Sequence, residues 1–439
     1  EGYTIYYTTD GSDPNRSSTL YSGAIRIGAT TPLRAIAVKD GCLDSIIATS
    51  MIFINAPTDV AIVSAVIDPI HLYDPVTGLF EKGPNASPEW PYLGANWYYN
   101  TEVPCTLSVI ETNGTLGIQQ ECAFRVFGSY SRQQKGKSFA IIARYYYGPG
   151  KFNYRFFEER TFSRYDSFIV RNGASEWNAS KIRDIFTSSL ARDTTDMETQ
   201  MYRPCTLYIN GEFWGVYFIM EKVTDHYIAS IYNIDEESID MLVGNGNKKA
   251  YIHCGSNTDW LELMAYVKEY GLTETEHYEY IKTKVDVENY ADYLIIETFC
   301  NNSDTGNVKF WRSSQLDNRW RWILYDTDWG YGAGNATAAE RDYVEEYFNE
   351  KGHGTGNMFD TTLPCALMKN AEWRALFLER VAYHLRETFD ITHSLERIDE
   401  IAAPIAEVMK LDRARWDISY DRWLNQLDVI RSYVRSKPD

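Results

Sequence analysis

The chain has 439 residues, 44% of them hydrophobic, which is enough for two or three domains with sizeable cores. Its formal net charge of -18 would repel a polyphosphate backbone, and no Lys/Arg-rich stripe with interleaved aromatics offsets it, so nucleic acid is excluded as an expected partner. No apolar run reaches the length of a bilayer span: the best candidate, 51–67, is interrupted by Asn55, Pro57 and Asp59.

The sequence opens inside a strand-like run without Met or a leader, so any targeting segment is expected to lie upstream or to have been removed. Seven cysteines (Cys42, Cys105, Cys122, Cys205, Cys254, Cys300 and Cys365) occur singly and without a Cys-x-x-Cys, the pattern of buried free thiols; a Cys105–Cys122 bridge stays open. The histidines are equally dispersed and offer no zinc spacing.

Residues 1–56 read as a small antiparallel β-sandwich, with short alternating runs separated by Asp-Gly and Ser-Gly breaks. Tyr6, Tyr7, Thr8, Asp10, Gly11, Ser12 and Pro14, then Leu20, Tyr21 and Arg34 to Val38, resemble the module found at the C-terminus of chitobiases. That resemblance implies a spacer or a weak carbohydrate-contacting surface. From residue 57 a β-rich region is expected to about residue 220. It holds a strand at Val60 to Ile67, an aromatic loop from Tyr73 to Tyr99, and a hairpin of Cys105 to Glu111 and Cys122 to Phe127 closed by Asn113-Gly114. A further strand runs from Ser138 to Tyr147, and together these suggest a twisted antiparallel sheet of at least four strands.

Asp166 to Asn172 is strand-like, and Asn178 to Ala191 carries Ile182, Ile185, Phe186 and Leu190 on one helical face. Asn210-Gly211 joins Cys205–Ile209 to Phe213–Met220 in a hairpin that delivers Glu221 at its far end. Asp225 to Tyr232 reads as a helix, and 244–258 as a Gly/Asn-rich loop. Beyond it, amphipathic helices are expected at Trp260–Tyr270, Asp286–Phe299, Trp373–Phe389, Leu395–Lys410 and Arg413–Val434. The layout is α+β: a β-rich lobe followed by a helical lobe, 221–439, in the manner of a protein kinase.

One stretch interrupts the helices. NNSDTGNVKFWR (301–312) and RWRWILYDTDWGY (319–331) give two strands, each beside a carboxylate-bearing turn, so Asp304, Asn307, Asp326 and Asp328 can converge at one end of a hairpin. If the second strand continues, Asp326 and Asp328 share a face and can hold one divalent cation. Asp304 offers a base, Asn307 an uncharged ligand, and Lys137 a point charge for phosphates. Plainer roles compete: Asp326 and Asp328 as turn caps, Asp304 to Gly306 as a bare turn, Lys137 as a solvated lysine, and Glu221 as a surface charge. The glycine-rich runs 330–335 and 352–357 lack the Gly-Lys-Ser/Thr ending of a phosphate loop and are read as framing a mobile segment.

Several spaced motifs resemble the CotH family of spore-coat-type atypical protein kinases. They are Arg125 to Ser129 with Lys135 to Phe139, Arg171-Asn172-Gly173, Ile182-Arg183-Asp184, Asn210 to Tyr217 ending in Glu221-Lys222-Val223, Asp304 to Arg312, and Trp322 to Trp329. The resemblance implies a secreted or surface-associated bacterial kinase that uses ATP with Mg or Mn to phosphorylate Ser or Thr of a protein. It implies Asp304 as the catalytic carboxylate, Asn307 and Asp326 as metal ligands with Asp328 as a further one, Lys137 on the phosphates, and Glu221 pairing a cation or lining the nucleotide pocket. Only Thr305 and Gly306 separate Asp304 from Asn307, whereas the kinase catalytic loop has four intervening residues. The alternative is a catalytically degenerate kinase-fold scaffold of surface or polysaccharide-degrading assemblies. Glycoside hydrolysis is set aside, because Asp326 and Asp328 come from one strand instead of flanking a sugar.

Overall fold

The computed structural model describes residues 2–244, 250–334, 338–340, 343–350 and 360–437. The glycine-rich run 352–357 lies outside the described residues. The fold is α+β, in two compact units whose chain segments interleave. One comprises residues 1–174, 202–221 and 404–420; the other comprises 175–201, 222–403 and 421–439. Among the described residues no helix is long and apolar enough to cross a membrane.

In the first unit the N-terminal strands form one antiparallel sheet in the order Thr19–Leu20, Thr4–Thr8, Thr31–Val38, Ala48–Ile52, instead of the two facing sheets of a sandwich. A barrel takes the place of the second sheet. Thr49 Oγ1 meets Thr106 Oγ1 at 3.2 Å, Gln119 donates to the Thr49 carbonyl, and Phe53 packs edge-on to Tyr208 at 5.4 Å.

The antiparallel sheet of at least four strands expected from the sequence is part of a closed barrel. Seven strands close on themselves in the order Ser167–Arg171, Glu212–Glu221, Tyr202–Ile209, Ala61–Val66, Val103–Ile110, Leu116–Phe127, Ser138–Ile142. Closure depends on the parallel pairing of Ala61–Val66 with Tyr202–Ile209, segments far apart in sequence that no local turn signal links. The barrel leaves no open edge strand. Cys105 and Cys122 sit opposite each other in register as free thiols, with Cys122 Sγ donating to the Cys105 carbonyl at 3.6 Å.

The helix expected to run through residues 395–410 breaks at Pro404, and the one expected from 413 breaks at Asp417, which adopts a left-handed conformation. The resulting Ala406–Trp416 helix packs on Glu212–Glu221. There Asp412 Oδ1 accepts the Val216 N–H at 2.9 Å, and Gly215, at φ +123°, leaves room that a Cβ would take from the Asp412 carboxylate.

The second unit is built around the Val287–Cys300 helix, which is buried on nearly every side. A five-stranded sheet lies beside it in the order Glu198–Thr199, Arg321–Leu324, Val308–Ser313, Ile239–Gly244, Ala250–Cys254. The last strand falls inside the stretch read from sequence as a loop. Tyr290, Trp260, Phe310, Trp320 and Trp322 form one aromatic cluster, with Tyr290 and Trp322 at 4.0 Å, which seats the two strands of the acidic hairpin on the central helix.

Candidate active site

The central helix ends on Asn301 in a left-handed turn (φ 53°), and the chain runs through the Asp304 loop into Val308–Ser313. Asn302 Oδ1 accepts the Asp304 N–H at 3.2 Å, an Asx turn that aims the Asp304 side chain. Val308–Ser313 pairs antiparallel with Arg321–Leu324, Lys309 opposite Ile323, so the loop before one strand and the turn after the other meet at one end. There the Asn307 Nδ2 donates to Asp304 Oδ2 at 2.9 Å and to Asp326 Oδ2 at 2.7 Å. The short interval between Asp304 and Asn307 therefore brings the two residues into direct contact.

The second strand stops at Leu324, and Asp326 takes φ 61°. The expected continuation, with Asp326 and Asp328 on one face, does not form. Asp328 is buried, and its Oδ2 accepts the Ser175 N–H at 2.9 Å. Asp184, on the Arg183–Thr194 helix, accepts the Thr327 N–H at 3.0 Å, and Tyr331 N donates to the Cys300 carbonyl at 2.7 Å. The turn carrying Asp326 is thus laced from three sides, which fixes a backbone conformation that costs an ordinary residue energy.

The family model described as CotH kinase protein matches residues 124–439, more than two thirds of the chain. The chain belongs to the CotH kinase protein family. Residues 1–49 match the chitobiase/beta-hexosaminidase C-terminal domain. No curated protein matches the chain.

In this CotH chain the site has the electrostatics of crowded carboxylates. Burial, then the charge of Asp326, pushes the Asp304 carboxyl up to about 6, and the Asn307 hydrogen bond acts against that rise. Lys309, half-buried on the strand after Asn307, is brought down to about 8 by burial and then by Lys222, with Asp326 opposing. Its Nζ donates to the Val223 carbonyl at 2.9 Å and lies 5.2 Å from the Tyr325 ring centre. Behind the site Glu297, on the central helix, is pushed up to about 8 by burial, with Asp304 and Asp184 adding to the rise.

The two residues expected to handle the nucleotide belong to the barrel unit. Lys137 is buried, not solvated: its Nζ donates to the carbonyls of Arg132 at 2.7 Å and Gln134 at 3.0 Å beneath the Trp97 ring, and burial brings it down to about 8. Glu221 is 2% exposed and takes a forked pair of hydrogen bonds from Arg160, at 2.7 and 2.5 Å. It is not a surface charge.

Asp184, Asn302, Glu297 and Lys309 went unassigned from sequence. Asp184 stands within a motif that carries the resemblance, and Lys309 two residues past Asn307 on an alternating strand, so both were within reach. Glu297 was hidden in an apolar helical run.

Two carboxylates and an amide fit a small hard cation. Among the described residues no group of three or more His, Cys, Asp and Glu stands together as metal ligands. Magnesium is ordinarily held by one or two carboxylates together with substrate phosphates and water. A cation would also relieve the repulsion between Asp304 and Asp326 that the raised Asp304 carboxyl reports.

Proposed function

We propose that the chain is an extracellular protein kinase with a two-lobed, kinase-like layout, moving the terminal phosphate of ATP to a Ser or Thr hydroxyl of a secreted or surface protein. The observation that carries this reading is the Asn307 amide joining Asp304 to Asp326. Family membership supports it. Phosphoryl transfer asks the protein mainly for positioning and charge neutralisation, with a carboxylate beside the acceptor hydroxyl. In this reading Asp304 orients that hydroxyl and receives its proton, while Asp326 and Asn307 hold Mg or Mn. Such a cation supplies neutralisation of the phosphate charge. Lys309 adds a cation beside Asp326. Asp328 serves by holding the Ser175 backbone, and Lys137 and Glu221 shape the barrel unit.

The deciding experiment titrates ATP with Mg or Mn while following thermal unfolding and phosphate incorporation into a Ser/Thr-rich protein. Stabilisation by about 2.7 kcal/mol is expected at a hundredfold excess of nucleotide over its Kd. Absence of both stabilisation and incorporation would sink the reading.

We further assign the N-terminal module a weak carbohydrate contact, supported by its domain match and by Leu43 and Ile46, which are 94% and 91% exposed in one loop. Co-sedimentation of the full chain with insoluble glycans is expected to weaken in Leu43→Ser/Ile46→Ser. Equal sedimentation of the two proteins would remove the assignment.

A further inference from the structure

Directly behind the acidic site, at the last turn of the Val287–Cys300 helix, lies a buried carboxyl that the proposed transfer does not use. Glu297 is 2% exposed. Its side chain is hydrogen-bonded by the Asn302 side chain and, at 3.5 Å, by the Tyr347 hydroxyl. Asn302 is equally buried and faces both ways: its Oδ1 accepts the Asp304 N–H, and its own N–H donates to the Glu297 carbonyl at 3.3 Å. A continuous chain of contacts therefore runs from the helix interior through one amide to the backbone of the proposed catalytic carboxylate.

We propose that Glu297 and Asn302 are the positioning pair of this site, Glu297 fixing the Asn302 amide from behind and Asn302 fixing the backbone from which Asp304 projects. The inference rests on the kinase reading for its activity readout only. Asp304 needs such a brace because its loop is short and carries Gly306, and because Asp326 repels its carboxylate. A side chain held from behind by a buried network keeps its direction, and a misplacement of about 1 Å can cost about a hundredfold in rate.

The brace works with Glu297 protonated. The titratable groups facing that carboxyl are Asp304 on the loop, Asp184 on the Arg183–Thr194 helix, Tyr347 on the Tyr343–Tyr347 helix, and Tyr293 and Cys300 on its own helix. A negative charge appearing at Glu297 would confront two carboxylates without water to screen it. The Asn302 and Tyr347 hydrogen bonds favour the charged form but are outweighed by burial and by Asp304 and Asp184, so ionisation sets a charge against Asp304 and pushes its loop out of place. Stability linked to this group is fully present below the ordinary glutamate range and is lost as pH rises through about 8.

The test compares Glu297→Gln, Glu297→Leu and Asn302→Ala with the parent chain. Glu297→Gln keeps a neutral hydrogen-bonding group, so it is expected to retain most activity at pH 7 and to show a shallower fall in kcat above about pH 8 than the parent, the part that remains being that of Lys309. The other two variants are expected to lower kcat at least about tenfold, with KM for ATP within about threefold. In parallel, amide hydrogen exchange across 301–307 is expected to quicken in Glu297→Leu and Asn302→Ala but not in Glu297→Gln, and the parent melting temperature to fall between pH 6 and 9 where that of Glu297→Gln stays level. If Glu297→Gln and the parent share one pH profile, or if exchange is the same in all four proteins, the proposal is overturned. Exchange and melting decide it even where the parent incorporates no phosphate, an outcome that would count against the kinase reading alone. Should Glu297→Leu fail to fold, Asn302→Ala carries the comparison.

Discussion

Asp326→Ala is expected to bring phosphate incorporation down to background, at least about a thousandfold below the parent chain, and to abolish the part of nucleotide stabilisation that depends on a divalent cation. The size follows from the role: a metal clamp on transferring phosphate oxygens is worth several kcal/mol, and each 1.36 kcal/mol is a factor of ten. The direction of the stability change separates this role from a structural one. Asp326 is half-buried and its charge raises the Asp304 carboxyl, so without cation Asp326→Asn, which removes the charge and suits the left-handed φ of 61°, relieves repulsion and leaves melting unchanged or slightly higher. A purely structural carboxylate would melt lower when removed. Activity within tenfold of the parent, or a large loss of stability, would contradict the assignment. The same repulsion gives a pH signature in the intact chain. Asp304 takes up its proton as pH falls through about 6, and only the ionised carboxylate can receive the acceptor's proton, so phosphate incorporation is expected to fall below that pH.

What the sequence revealed of this site depended on local signals. Alternation over Val308–Ser313 and Arg321–Leu324 placed Asp304, Asn307 and Asp326 at one end of a strand pair, and they meet there. Asp328 escaped the same logic because the strand stops at Leu324, and a turn stabilised by Asp184 and Ser175, more than 140 residues earlier, has no local signature. The barrel shows the same division. Its hairpins are written in Asn113-Gly114 and Asn210-Gly211, whereas its closure needs a parallel pairing between distant segments, which composition cannot announce. Pro404 is a legible helix break, but the periodic apolar residues on either side of it, Ile398, Ile401, Ile405 and Met409, carry the pattern of one continuous helix across it.

Glu221 poses the sharpest choice between a structural and a nucleotide-binding carboxylate, and Arg160 offers the means to decide it. Arg160→Ala is expected to destabilise the chain by about 3–5 kcal/mol, because it strands a 2% exposed carboxylate that now receives both arms of one guanidinium. Glu221 closes the Glu212–Glu221 strand opposite Phe168, and its charge helps raise the neighbouring buried Tyr165 hydroxyl, so the stranded charge has little room to turn toward water. Replacing both partners with apolar side chains, Arg160→Met/Glu221→Leu, removes the uncompensated charge and is expected to recover most of that loss, since buried ion pairs exchange with hydrophobic residues at small net cost. The double variant then isolates function. If Glu221 is structural, nucleotide and cation stabilise the double variant as they do the parent chain. If Glu221 also lines the nucleotide pocket, the double variant folds but loses that stabilisation, and the melting curves with and without ATP coincide.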